Sequence, residues 1–187
     1  PALVGHSMGG TLAMMVAARH PDRASRVMVV DMIPFMGAMF GPPGTTAEGV
    51  RPVAEQFRQG MASSTVEARR AQAQQIVATM VRTEALRAPV IEDTMNSSPA
   101  VSAQAMYDII TTDLRPELAH VRVPLTVLWV RAPNAPIDDA QMARYYQLSY
   151  ANAPQAVLRQ VPNAYHFIMF DAPEAFQAEL RTFLSAR

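Results

Sequence analysis

Near the amino end of the chain, Gly5-His6-Ser7-Met8-Gly9 sets a serine midway between two glycines. The apolar run Ala2 to Val4 precedes it, and Thr11 to His20 follows with Leu12, Met14, Met15, Val16, Ala17 and Ala18. This order predicts a strand, a tight turn and a helix, the context that gives G-x-S-x-G its chemical meaning. The turn forces Ser7 into a strained conformation and lifts its Oγ above the sheet, ready to attack a carbonyl carbon. Gly5 and Gly9 are expected to be required because a Cβ at either would strike the neighbouring strand or helix. The Met8 N–H, at the amino end of the helix, is expected to face the negative charge that develops on the attacked oxygen.

A serine hydroxyl is a weak nucleophile at neutral pH and needs a base beside it, so the four histidines are the candidates. His166, in Asn163-Ala164-Tyr165-His166-Phe167, directly follows the last apolar run and is the expected base. His6 adjoins Ser7 but points differently, His20 ends a helix beside Pro21 where a cation suits the helix dipole, and His120 precedes a strand.

Bringing Ser7 and His166 together is the task of the intervening elements. Short apolar runs near residues 1–5, 26–31, 124–130 and 156–161 read as strands, separated by helical patterns that include Asp138 to Leu148 and Asp171 to Leu184. The last of these places Phe176, Leu180, Phe183 and Leu184 on one face, and Pro162 to Phe170 before it reads as a loop. Strand–helix alternation predicts an α/β fold, a parallel sheet covered by helices, whose loops gather at the carboxyl ends of the strands. Residues 34–114 break the alternation. Thr45 with Glu48 and Ser64 with Glu67 have capping-box spacing, Ser98-Pro99 offers an N-cap followed by proline, and Met36, Met39, Met61, Met80, Met95 and Met106 supply adaptable apolar surface. The expected organisation is a core of residues 1–33 and 115–187 with a helical cap, or lid, over 34–114.

The chain resembles the carboxyl-terminal two thirds of an α/β-hydrolase-fold serine esterase. The landmarks appear in order: the elbow Gly5 to Gly10, the strand Val27 to Asp31, a helical cap, Asp113-Leu114-Arg115-Pro116-Glu117-Leu118 leading into Val123-Pro124-Leu125, and His166-Phe167 ahead of Asp171-Ala172-Pro173-Glu174-Ala175-Phe176. The resemblance implies a Ser-His-Asp triad and ester hydrolysis through an acyl-enzyme, with no metal and no organic cofactor. In the family the acid usually follows the strand that is here Leu125 to Val130, yet Arg131-Ala132-Pro133-Asn134-Ala135-Pro136 holds no carboxylate, and the amide of Asn134 cannot stabilise an imidazolium. Some members carry the acid one strand earlier, where Asp31 stands 24 positions after Ser7. Asp31 is therefore the expected acid. Asp138 and Asp139 are the runners-up, although the spacing of Asp138 to Gln141 already explains Asp138 as a helix cap.

A second departure is that the strands that normally precede the elbow, and the loop whose N–H completes the oxyanion hole, are not in the sequence. Losing one such donor costs on the order of 3 kcal/mol of transition-state stabilisation. The elbow strand would then form an open edge, which predicts a homodimer or a larger complex that covers it.

Composition narrows the partners. Half the residues are hydrophobic, 17% are charged, and 16 Lys+Arg balance 16 Asp+Glu, so a buried core is expected and nucleic acid is not. Without cysteine there is neither a disulfide framework nor a thiolate metal site. Glycine and proline interrupt the uncharged stretches, which argues against a membrane span, and the sequence begins without signal-peptide features, which favours the cytoplasm. The expected partner is a small ester, with uncharged acyl or aryl groups favoured. The same fold leaves open an acyltransferase or perhydrolase, a carbon–carbon bond hydrolase, or a catalytically impaired fragment that serves in dimerisation. A nucleophilic serine rather than aspartate argues against dehalogenase and epoxide-hydrolase chemistry.

Overall fold

A computed structural model describes residues 1–131 and 135–185. In chain order the main elements are β1 (Ala2–His6), α1 (Met8–Arg19), β2 (Arg26–Val30), α2 (Ala47–Ala62), α3 (Val66–Met80), α4 (Arg87–Asn96), α5 (Pro99–Thr111), β3 (Leu125–Trp129), α6 (Asp139–Ser149), β4 (Val157–Gln160), α7 (Ile168–Asp171) and α8 (Pro173–Ser185). The four strands form one parallel sheet in sequential order, with Gly5 opposite Val29, Val30 opposite Leu128 and Trp129 opposite Gln160.

The central strands explain why apolar runs without alternation were legible as strands. Val27, Met28, Val29 and Val30 of β2 are fully buried, as are Val127 and Leu128 of β3, because helices cover both faces of a parallel sheet. Each such side chain contributes roughly 1.5–3 kcal/mol through removal from water. On one face Met28, Val30, Leu128 and Val130 pack with Val161, Ile168 and Phe183, and Phe176 and Leu180 of α8 lean on the same cluster. The expected apolar face of α8 is thus correct for three residues, whereas Leu184 is 54% exposed because it lies beyond the reach of this cluster. On the other face α1 lies against β1 and β2. The outer strands are wetter: β1 and β4 each pair on one side only, and Val4 and Val157 are exposed.

The chain divides into two compact units, one of Pro1–Pro34 with the segment from Leu114 onward, the other Phe35–Asp113. The second is helical, built chiefly on α2 against α5 and α3 against α4, with Val50, Ala54, Ala73, Val77, Ala103 and Ile110 buried. Two of its helix starts fall one residue later than the sequence predicts. Thr46, not Thr45, accepts from Gly49 N, and Thr65, not Ser64, accepts from Ala68 N. The reason is that Thr45 Oγ1 donates to the Pro42 carbonyl and Ser64 Oγ to the Gly60 carbonyl, so both hydroxyls serve the preceding turn. Ser98 precedes proline at the start of α5 as expected, but its side chain makes no capping hydrogen bond. The expected loop 162–170 runs into the short helix α7 at Ile168, whose side chain is fully buried.

Candidate active site

The parallel register delivers three loop residues to one edge of the sheet. Ser7 follows β1, and its N–H continues the ladder to the Val30 carbonyl at 3.0 Å; Asp31 follows β2, and its N–H reaches the Leu128 carbonyl at 2.7 Å. His166 comes five positions after Val161, whose N–H meets the Trp129 carbonyl at 2.9 Å. Ser7 has φ 53° and ψ −123°, a region that costs a non-glycine residue on the order of 1–3 kcal/mol and that surrounding structure must enforce. Gly5 makes that turn possible, since a Cβ there would lie 2.1 Å from the Gly9 carbonyl oxygen.

Gly9 requires a correction. A Cβ at Gly9 would meet nothing within 4 Å among the described residues, because this position faces away from the contact between β1 and α1. The crowded glycine is Gly10, where a Cβ would sit 2.9 Å from Val29 Cγ1 and 3.1 Å from the Gly5 carbonyl oxygen. The first turn of α1 leaves the Met8 N–H without a protein partner among the described residues, as helix geometry dictates for a leading amide.

His166 and Asp31 meet across 135 positions of sequence: His166 Nδ1 lies 2.7 Å from Asp31 Oδ2, with side chains 20% and 11% exposed. Asp31 itself has φ 50°. Its other oxygen, Oδ1, accepts from the Val130 N–H at 3.2 Å and from the Tyr146 hydroxyl at 3.0 Å. The His166 loop is anchored on both sides, by Asn163 at φ 60° with buried Ala164, and by the Tyr165 N–H donating to Asp171 Oδ2 at 2.9 Å. With Nδ1 directed at Asp31, Nε2 is the nitrogen left to accept a proton. Among the described residues Ser7 Oγ makes no hydrogen bond to His166.

The alternatives for the acid are engaged elsewhere. Asp138 forms a complete capping box with Gln141, and Asp139 accepts from Arg131 Nε at 2.6 Å. Pro133 and Asn134, where the family's acid is usually found, lie outside the described residues. Histidines 20 and 120 sit at the end of α1 and in a short turn before β3, away from this edge.

Beside the proposed triad lie His6, from the elbow, and Tyr146, which the sequence does not single out. His6 lies with its ring 4.5 Å from that of His166 and its Nε2 3.0 Å from the His166 carbonyl oxygen. Burial, then the neighbouring His166, push its pKa from an ordinary 6.5 to about 4, against the pull of that carbonyl and of Asp31. Tyr146 reaches Asp31 from α6. The sequence marks it only by its place one turn before Tyr150, in a helix following β3, and nothing in that spacing says which carboxylate it meets.

Residues 1–179 match the model of an alpha/beta hydrolase family. Among characterised relatives, the pimeloyl-(acyl-carrier protein) methyl ester esterase of Edwardsiella ictaluri is 31% identical over 186 residues, covering 98% of this chain and 69% of that protein. The sn-1-specific diacylglycerol lipase ABHD11 of Mus musculus is 25% identical over 194 residues, covering 98% of this chain and 58% of the lipase. The fold is shared with the enol-lactonase of Burkholderia xenovorans, at a TM-score of 0.75 and 21% identity over 98% of this chain and 65% of that one. The chain thus spans between roughly three fifths and seven tenths of the length of these relatives. Parallel sheet, serine elbow and matched sequence together make this chain a member of the alpha/beta hydrolase family.

Proposed function

We propose that this chain is a carboxylic ester hydrolase acting through an acyl-enzyme on Ser7. The observation that carries the reading is the 2.7 Å contact between His166 Nδ1 and Asp31 Oδ2 at the sheet edge where the strained Ser7 turn also lies. In this mechanism His166 Nε2 takes the Ser7 hydroxyl proton as Oγ bonds to the carbonyl carbon, and the Met8 N–H steadies the oxyanion. Collapse breaks the bond to the alcohol oxygen, which leaves with the proton from His166. Water then repeats the sequence in reverse, releasing the acid and restoring Ser7. Asp31 holds the imidazole in one tautomer and stabilises its charged form. The names of the two characterised relatives, an esterase and a lipase, support an ester as the substrate class.

Within the same proposal, the helical unit serves as the lid. Its apolar, methionine-bearing composition favours uncharged acyl or aryl groups over charged ones. The open edge of β1 pairs with a second copy of the chain.

Turnover of p-nitrophenyl acetate and butyrate by the purified chain tests the reading, with Ser7→Ala as the control. The wild-type chain is expected to release p-nitrophenolate and the variant to fall to background. Equal rates for the two proteins would overturn it.

A further inference from the structure

The proposed acid of this site follows β2 rather than β3, and its carboxylate needs support that the strand alone does not provide. The Asp31 backbone is fixed by its N–H to the Leu128 carbonyl, but the torsion that turns a carboxylate plane is soft, with broad minima. Among the described residues a single backbone donor, the Val130 N–H at 3.2 Å, constrains that plane weakly. The other donor to Oδ1 among the described residues is a side chain on another element, the Tyr146 hydroxyl at 3.0 Å.

We propose that Tyr146 is a positioning residue for catalysis: its phenol locks the Asp31 carboxylate so that Oδ2 is presented to His166 Nδ1. The inference rests on the reading of Asp31 and His166 as triad members. Three features make the phenol suited to the task. Its ring is 6% exposed and held in a stack, 5.2 Å from Trp129 at 22° and 6.5 Å from Tyr150 at 7°, so the hydroxyl has little freedom to wander. Burial first, and then the charge of Asp31, raise its pKa well above the usual tyrosine range, so the hydroxyl keeps its proton and remains a donor. Its helix, α6, is registered by the Asp138–Gln141 capping box two turns away, which ties a cap on the rim to the geometry of the acid. Tyr150 provides an internal contrast, because it shares the stack while its hydroxyl donates to the Met32 carbonyl at 2.7 Å and not to a carboxylate.

The test is a kinetic cycle on the whole chain with p-nitrophenyl butyrate. Tyr146→Phe is expected to lower kcat about tenfold with KM unchanged, as for a group whose effect is confined to the transition state. In an Asp31→Asn background the same change is expected to cost nothing further, and Tyr150→Phe is expected to leave kcat at the wild-type value. The low-field proton resonance of His166 Nδ1–H should move in Tyr146→Phe and stay in place in Tyr150→Phe. Should the Tyr146→Phe protein fail to fold, a slowly exchanging Tyr146 hydroxyl resonance in the unaltered chain that shifts on Asp31→Asn supports the proposal, and a rapidly exchanging one overturns it. A kcat within twofold of wild type, an equal loss in Tyr150→Phe, or a full tenfold loss persisting without the Asp31 carboxylate would also overturn it. Failure of the underlying reading looks different: Asp31→Asn alone would then leave kcat intact.

Discussion

Ser7 occupies a backbone conformation that serine avoids, and Gly5 is the residue that lets it do so. Gly5→Ala is expected to cost several kcal/mol, since its methyl would collide with backbone rather than with a yielding side chain, whereas Gly9→Ala should fall within roughly 1 kcal/mol of wild type. Urea titrations of both variants measure the difference. Asp31→Asn should lower kcat roughly 10³- to 10⁴-fold and Asp138→Asn less than twofold, because only the first contacts His166. His6 adds a signature in stability. Its folded pKa of about 4 lies below the unfolded 6.5, so the unfolded chain binds the extra proton between these values and stability falls as pH drops through that window. The loss attributable to His6 approaches about 3 kcal/mol at its limit, reduced by solvent screening of a partly exposed ring, and levels off below pH 4. Unfolding measured across pH 7 to 4 should show that slope, and His6→Gln should flatten it. At this scale the sequence discloses residues whose type and neighbours carry their own meaning, such as a serine between glycines. It is silent on Tyr146 and on the His6 contact, because both depend on packing between elements far apart in the chain.

Among the elements, total burial gives one clear signal, although the wetter β1 and β4 were legible too. Strand β2 is buried on both faces and announces itself as an apolar run, and the capping box of Asp138 with Gln141 stands where its spacing puts it. Elsewhere the same spacing misleads by one residue. Thr45 with Glu48 and Ser64 with Glu67 have the right intervals, yet in each case the next residue caps the helix, since a hydroxyl already bonded to the preceding turn is not free to serve it. Local pattern identifies that a helix begins; competition among neighbouring hydroxyls decides where. Asp138→Ala is expected to remove about 1 kcal/mol from the stability of the chain, read by thermal or urea unfolding. A smaller loss would mean that α6 is held by its tyrosine stack and not by its cap.

The whole molecule divides into a sheet unit that carries the proposed triad and a helical unit inserted after β2, and no helix among the described residues is long and apolar enough to cross a membrane. Val4 is exposed on β1, whose outer edge pairs with no strand among the described residues, and the proposed pairing with a second copy would cover it. Light scattering at micromolar concentration is expected to give twice the chain mass, and Val4→Lys to shift the distribution toward monomer; a monomeric wild-type chain would contradict the pairing. The fold was readable from the order of the elements, and Asp31 was legible as the expected acid from its place after the second apolar run; the folded sheet adds its 2.7 Å contact with the His166 imidazole, which sequence spacing alone does not give. Whether Ser7 is a nucleophile activated by His166 and Asp31 is decided by reaction with a fluorophosphonate followed by peptide mass mapping. Fluoride loss with one phosphonyl group on Ser7 is expected, slowed drastically in His166→Ala and Asp31→Asn; an unlabelled wild-type chain, or a label on another residue, would rule the nucleophile out.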